Sequence, residues 1–325
     1  RVVAFQHFNK GLALERRGRA DDAISQLAQA ARMQPDNAAF QFHLGRALAA
    51  RASDDAFAAD RAVQALEASN RAFPYYYYTH RLLGGLHRNA GRVEQALRAM
   101  ELEEKYTFGD PAAPRARRIE YLMQLGRAKQ AVALQKELAA ARPRDPQALI
   151  ALARLHARAG DFDAALKAAE QSRPLFEKGS AEPDFEAADI FMAQGEYFDA
   201  IRRLEPIIGA AEKELAPFVE QNTGRLAFDG MPAPRARKLE DTAARLARAL
   251  FVTGRCYMQI QDPETALPYF HSAHRLVPSN PDFVYWGGFA CEQLGNSACA
   301  ASAYNAILQR FPDHAAARQA LQRLR

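Results

Sequence analysis

The chain has 325 residues, 49% of them hydrophobic and 25% charged, with a formal charge of +5; Ala fills 68 positions, Arg 35 and Lys only 8. That apolar content excludes a disordered chain, and no apolar run is long enough for a membrane-spanning helix. Ala is the strongest helix former because it loses no side-chain entropy, and β-branched residues are sparse, so the composition points to helices rather than sheets.

Self-comparison orders the elements. Alanines recur at Ala23, Ala62, Ala96, Ala131, Ala165, Ala200, Ala266 and Ala300, in steps of 39, 34, 35, 34, 35, 66 and 34 residues. Each marks the second helix of a pair. A small residue stands on the first helix at Gly11, Gly45, Gly84, Ala153, Ala188, Gly254 and Gly288, and a large one on the second at Leu27, Leu66, Met100, Leu204, Phe270 and Tyr304. Helices approach closely only where side chains are small, so each small residue predicts a crossing, filled in six of the repeats by a large residue opposite. Turn glycines at Gly18, Gly91, Gly126, Gly160, Gly195 and Gly295 end the first helices, and prolines at Pro35, Pro74, Pro143, Pro278 and Pro312 end the second.

In chain order the predicted units cover 4–37, 38–76, 77–111, 112–145, 146–180, 181–207, 247–280 and 281–313, forming a single solenoid over 1–325. The fourth is irregular, with Ile119 where the small first-helix residue belongs. The 39-residue step adds a solvated loop near Ala52–Asp55. The 66-residue step inserts 208–246, read as a helical arm in which Phe198–Gln221 and Arg235–Ile260 run helical, Pro206 and Pro217 kink or restart the first helix, and 222–234 forms the loop. Such an arm would project about 20 Å. Its tip residues Leu226, Phe228 and Met231 are costly to expose unless they pack back or meet a partner. Residues 314–325 form an amphipathic capping helix.

The helix–turn–helix residues around Gly254, Arg255, Cys256, Tyr257, Ala266, Phe270, Ala273 and Pro278, and those around Gly288, Gly295, Ala300 and Tyr304, resemble the tetratricopeptide repeat family. The 34-residue step sets the chain apart from an armadillo array. The resemblance implies an all-α, right-handed superhelical solenoid of about eight repeats, with a concave groove lined by first helices. Helical period then places Phe8, Phe42, Arg46, Tyr78, Arg81, Arg88, Arg117, Arg154, Arg158, Arg255, Tyr285 and Phe289 in that groove, with Phe5, Leu12, Met123, Ile150, Phe251 and Met258 beside them and an acidic step at Glu182, Glu186 and Asp189. Of the four consecutive tyrosines 75–78, Tyr75 and Tyr77 are expected to fill the junction between units two and three, with Tyr78 facing the groove. A partner with acidic residues near aliphatic ones would complement the arginines; solvated pairing with carboxylates of the solenoid itself is the equal alternative. The family's chaperone-tail clamp uses Lys and Asn where this chain has Phe8 and Leu12, so that partner is not expected.

No catalytic constellation emerges. Gly84-Gly85 and Gly287-Gly288 read as packing glycines rather than phosphate loops, and His271-x-x-His274 lacks further ligands at metal-site spacing, so no metal, cofactor or enzymatic activity is expected. The basic residues form no block of the kind that grips nucleic acid, and the groove set is too apolar and irregular for a base-reading array. Cys291 and Cys299 would pair if the protein is exported and otherwise sit as small buried hydrophobes. The chain opens at Arg1 rather than Met, which reads as a native start removed with a signal peptide or by design; cytoplasmic and periplasmic placement both stay open. The expected function is a non-catalytic protein-interaction scaffold in a larger bacterial-type assembly. The alternative is the repeat portion of a larger enzyme or a secretion or polysaccharide-export machine.

Overall fold

The computed structural model describes residues 1–53, 55–109, 111–219, 226–228 and 230–324, with only the backbone of Ala56. The described residues fold as seventeen α-helices, two short 3-10 turns and no strand beyond an isolated bridge between Val219 and Leu226. Two compact units divide the chain, residues 1–142 and 143–325.

The first unit stacks four helical hairpins: α1 (Val2–Arg16) with α2 (Ala20–Met33), α3 (Ala38–Ala49) with α4 (Ala56–Ala72), α5 (Tyr77–Asn89) with α6 (Val93–Tyr106), and α7 (Ala112–Gln124) with α8 (Ala128–Ala141). The second continues with α9 (Pro146–Arg158), α10 (Phe162–Ser172), α11 (Glu182–Gln194), α12 (Tyr197–Leu215), α13 (Ala233–Gln259), α14 (Pro263–Leu276), α15 (Pro281–Gln293) and α16 (Ser297–Arg310), and ends on the capping helix α17 (Ala315–Arg323). Each unit is therefore an all-α solenoid of paired helices.

The crossings form where the small residues stand. All eight anchor alanines are fully closed to solvent. A Cβ placed on Gly45 would lie 2.6 Å from Leu66 Cγ, and one on Gly254 would lie 2.8 Å from Phe270 Cε1, inside any real contact distance. A side chain at either glycine would force its large partner to shift, so glycine sets how closely these helices approach. Between α13 and α14 the left-handed turn position is taken by Gln261, at φ 62°, the only non-glycine residue with positive φ among those described.

Neighbouring hairpins are also tied by arginine. Arg115 and Arg118 on α7 reach Glu104 on α6, Arg127 reaches Glu94, Arg173 holds Asp184, and Arg203 on α12 reaches Glu170 on α10. Part of the arginine excess therefore works between repeats, where each pair fixes register more than it adds stability.

Residues 208–246 complete α12, pass through a 3-10 turn at Ala216–Phe218 and begin α13. The helix expected to run to Gln221 ends at Leu215, because Pro217 has no N–H to donate and the chain tightens around it. Pro206, by contrast, is accommodated inside α12. Ala211 and Leu215 pack against Leu239, Ala243 and Leu246, and this core runs on to Ala273 and Phe283 of the following hairpins.

Candidate functional site

First helices of neighbouring hairpins pack on one another in three places, α3 with α5, α9 with α11 and α13 with α15. Their outward residues therefore lie side by side within each of these pairs.

In the first unit this face begins in aromatic residues and ends in arginine. Phe5 and Phe8 lie with ring centroids 5.0 and 4.8 Å from Phe40, and Phe8 meets His43 at 5.2 Å. Arg46 Nη2 donates to Glu15 Oε2 at 2.7 Å across α3 and α1. Burial, then the adjacent Arg46 cation, hold the His43 imidazole below its ordinary value, so it stays neutral beside that pair. On α5 the spacing of Tyr78, Arg81, Gly85 and Arg88 puts them on one side of the helix. Tyr78, Arg81 and Arg88 are exposed, and the space where a Gly85 side chain would stand is open. Arg88 bonds only its neighbour Asn89, and neither Arg81 nor Arg88 has a carboxylate partner among the described residues.

In the second unit two arginines of this face are paired with carboxylates. Arg154 on α9 donates to Glu186 on α11 at 2.8 Å, and Arg248 on α13 reaches Glu182 at 2.9 Å while its guanidinium lies 4.0 Å over the Phe185 ring. Burial raises the Glu186 carboxyl above the usual range despite Arg154. Desolvation likewise raises Asp189, against the pull of Arg248, Arg255 and Arg154. Arg255 lies between the rings of Trp286 (5.4 Å) and Phe251 (5.9 Å). Arg158 is exposed and has no carboxylate partner among the described residues.

The tetratricopeptide repeat profile matches residues 8–69, 116–179 and 253–315, more than half of the chain. The chain belongs to the tetratricopeptide repeat family. Members are in general non-catalytic scaffolds for protein interaction. Solved structures similar to this tetratricopeptide repeat chain include a tetratricopeptide repeat protein from Parabacteroides merdae, at 13% identity over 100% of this chain and 99% of that chain, TM-score 0.46. MamA from Desulfovibrio magneticus RS-1 is similar at 18% identity over 64% of this chain and 99% of that chain, TM-score 0.39. Naa15/Naa10 bound to HypK-THB is similar at 13% identity and TM-score 0.47; the match covers 99% of this chain but only 65% of that one. No curated protein matches.

Several expected groove residues stand elsewhere in this repeat chain. Phe42 is buried at 7% exposure, covered by the start of the next hairpin, where Tyr76 meets it at 4.8 Å. Arg117 points to the preceding hairpin, pairing with Glu103 at 2.6 Å, while Ala116 and Glu120 take the outward side of α7. Ile150 is buried at 2%. Tyr285 turns toward Tyr304 and His314 beneath α17, and the neighbouring Trp286 instead faces α13 beside Phe289. Sequence reasoning misses Trp286, since period alone does not say which neighbour covers which side.

Tyr75 does not fill a junction either: it is 60% exposed and makes edge contacts with Phe73 and Tyr106, while Tyr77 and Tyr78 stack at 4.2 Å. Leu226, Phe228 and Met231 are half-buried against the α12–α13 core, with Phe228 meeting Phe218 at 6.1 Å and the Ala227 N–H donating to the Phe218 carbonyl at 3.0 Å. Residues 222–225 of that loop lie outside the described residues. Cys291 and Cys299 are joined as a disulfide between α15 and α16, and the buried Cys256 is free, its thiol pushed up to about 11 by desolvation. Among the described residues no helix is long and apolar enough to cross a membrane, and no cluster of three His, Cys, Asp or Glu side chains offers a metal site.

Proposed function

We propose that this chain is a scaffold whose first unit holds an acidic segment of a partner protein along the face formed by α1, α3 and α5. The observation that carries the reading is the pair Arg81 and Arg88 on α5, exposed on either side of Gly85 and without carboxylate partners among the described residues. In the second unit Arg154 and Arg248 are already matched by Glu186 and Glu182, and Arg255 lies against aromatic rings, whereas Arg81 and Arg88 stand exposed together on one helix. Planar guanidinium forks favour carboxylates, and the Tyr78 ring, with the Phe5 and Phe8 rings packed on buried Phe40, offers apolar contact in the same unit. An acidic peptide with interspersed aromatic or aliphatic residues fits both features.

The test is fluorescence anisotropy of a labelled peptide rich in Glu and Phe, its Lys-for-Glu counterpart, and the full chain. The Glu peptide should bind and weaken steeply with salt, and Arg81→Glu with Arg88→Glu should cost about tenfold or more. Equal binding of both peptides, or unchanged binding by the double variant with helicity retained, overturns the reading.

A further inference from the structure

The last hairpin contains a cleft that the repeat pattern does not require. It lies between α14, α15 and α16 and has a volume of about 360 Å³. Its base is apolar, formed by Phe283 and Ile307, which are nearly closed to solvent, and its rim carries His271, His274 and Arg310. No Asp or Glu lines it.

One lining residue, Gly287, stands out. The position immediately before the first-helix crossing residue is buried in five earlier repeats, as Leu44, Leu83, Leu152, Ala187 and Thr253, while the first and fourth hold Lys10 and Arg118 there. In the last repeat it holds Gly287. Gly288 beside it is needed at the crossing, because its Cβ would lie 2.9 Å from Tyr304 Cε1. Gly287 is not: a Cβ there would meet nothing closer than 3.8 Å. Glycine is disfavoured inside a helix, so a glycine without a packing reason leaves room for something else.

Two polar groups at the rim have capacity to spare. Arg310 donates one Nη1–H to the Pro278 carbonyl, and its side chain is otherwise exposed. His274 has a buried Nδ1 with no hydrogen-bond partner in the structure, a state that is costly until it is satisfied.

We propose that this cleft binds a medium-chain alkyl carboxylate, its chain lying in the space left by Gly287 and its carboxylate meeting Arg310, with His271 and His274 flanking. A cationic rim without an acid selects the anion, and the apolar base takes the alkyl chain. This site is on the second unit and is independent of the peptide face proposed for the first.

The test is calorimetric titration of the full chain with decanoate, decanol and decylammonium, and with a short peptide ending in Leu and a free carboxylate. Decanoate should bind one to one, about tenfold more tightly than decanol, the effect of one charge-assisted hydrogen bond, and decylammonium more weakly still. Arg310→Gln should remove the preference for decanoate over decanol. Gly287→Leu should abolish binding of both while helicity is kept; if that variant does not fold, Arg310→Gln decides alone. Equal affinity for decanoate and decanol, unchanged binding by Gly287→Leu, or tighter binding of the Leu peptide than of decanoate overturns the proposal, the last because the cleft would then be a seat for a protein C-terminus.

Discussion

Arg154 and Glu186 meet at 2.8 Å across α9 and α11, yet the two ends of the pair live in different solvents: the arginine side chain is 58% exposed and the carboxylate 4%. Burial therefore dominates Glu186 and raises its pKa, whereas Glu104, where burial also pushes upward, is held below the ordinary range by hydrogen bonds from Arg115 and Arg118. The two carboxylates should tilt stability in opposite directions with pH. A raised folded value means the native state holds its proton longer, so the Glu186 contribution falls as pH rises above the unfolded value of about 4.3. A lowered folded value means the Glu104 contribution is present above that pH and is lost as pH falls below it. Glu186→Gln should thus match or exceed the parent in stability at pH 7 and lose that advantage near pH 4, while Glu104→Gln should cost about 1–2 kcal/mol at pH 7 and progressively less on acidification. Urea unfolding at the two pH values checks both; parallel behaviour of the two variants would refute the assignment.

The same pair predicts an asymmetry between its ends. Arg154→Met leaves a buried carboxylate without its partner and should cost about 1–2 kcal/mol at neutral pH, discounted for the exposure of the arginine. Adding Glu186→Gln to it should recover most of that loss. A double variant no more stable than Arg154→Met alone would show that the arginine acts through packing rather than charge.

Glycine substitutions should separate crossings from mere helix interiors. Gly254→Ala drives a methyl to 2.8 Å from Phe270, whereas Gly209 in α12 has nothing within 4 Å of its Cβ position. Gly254→Ala should therefore destabilise by about 1–3 kcal/mol through overpacking, and Gly209→Ala should stabilise by up to about 1 kcal/mol through helix propensity. Thermal melts of the two variants against the parent check the signs, and a stabilised Gly254→Ala would mean that Phe270 yields freely.

The repeat was legible because its crossings have a strict chemical demand: glycine or alanine on one helix and a large residue opposite, as at Gly45 with Leu66 or Gly288 with Tyr304. Where that demand lapses, the reading slips. Ile119 gives α7 no small residue to fix its phase, and Arg117 was placed outward although it is turned to Glu103. Helical period identifies a side of α15 but not its neighbours, so it points to Tyr285, and only packing reveals that α17 covers that residue while Trp286 faces α13. Pairing of arginines across hairpins, as in Arg46 with Glu15, joins residues 31 apart. No local pattern announces such a contact, so the sequence could list the candidate cations without saying which were already matched.

Gln261 offers the sharpest local test. It occupies the left-handed turn between α13 and α14 at φ 62°, the place that Gly18, Gly91, Gly126, Gly160, Gly195 and Gly295 fill in other repeats at φ between 70° and 88°. A side chain in that region crowds its own backbone, at a cost of roughly 1–2 kcal/mol, while glycine offsets part of the gain through the greater freedom of its unfolded chain. Gln261→Gly should therefore raise stability by about 0.5–1 kcal/mol, and the reverse change Gly195→Gln should lower it by a similar or larger amount. Chemical denaturation of the two variants measures both, and a destabilised Gln261→Gly would mean that the glutamine side chain makes a compensating contact at the turn.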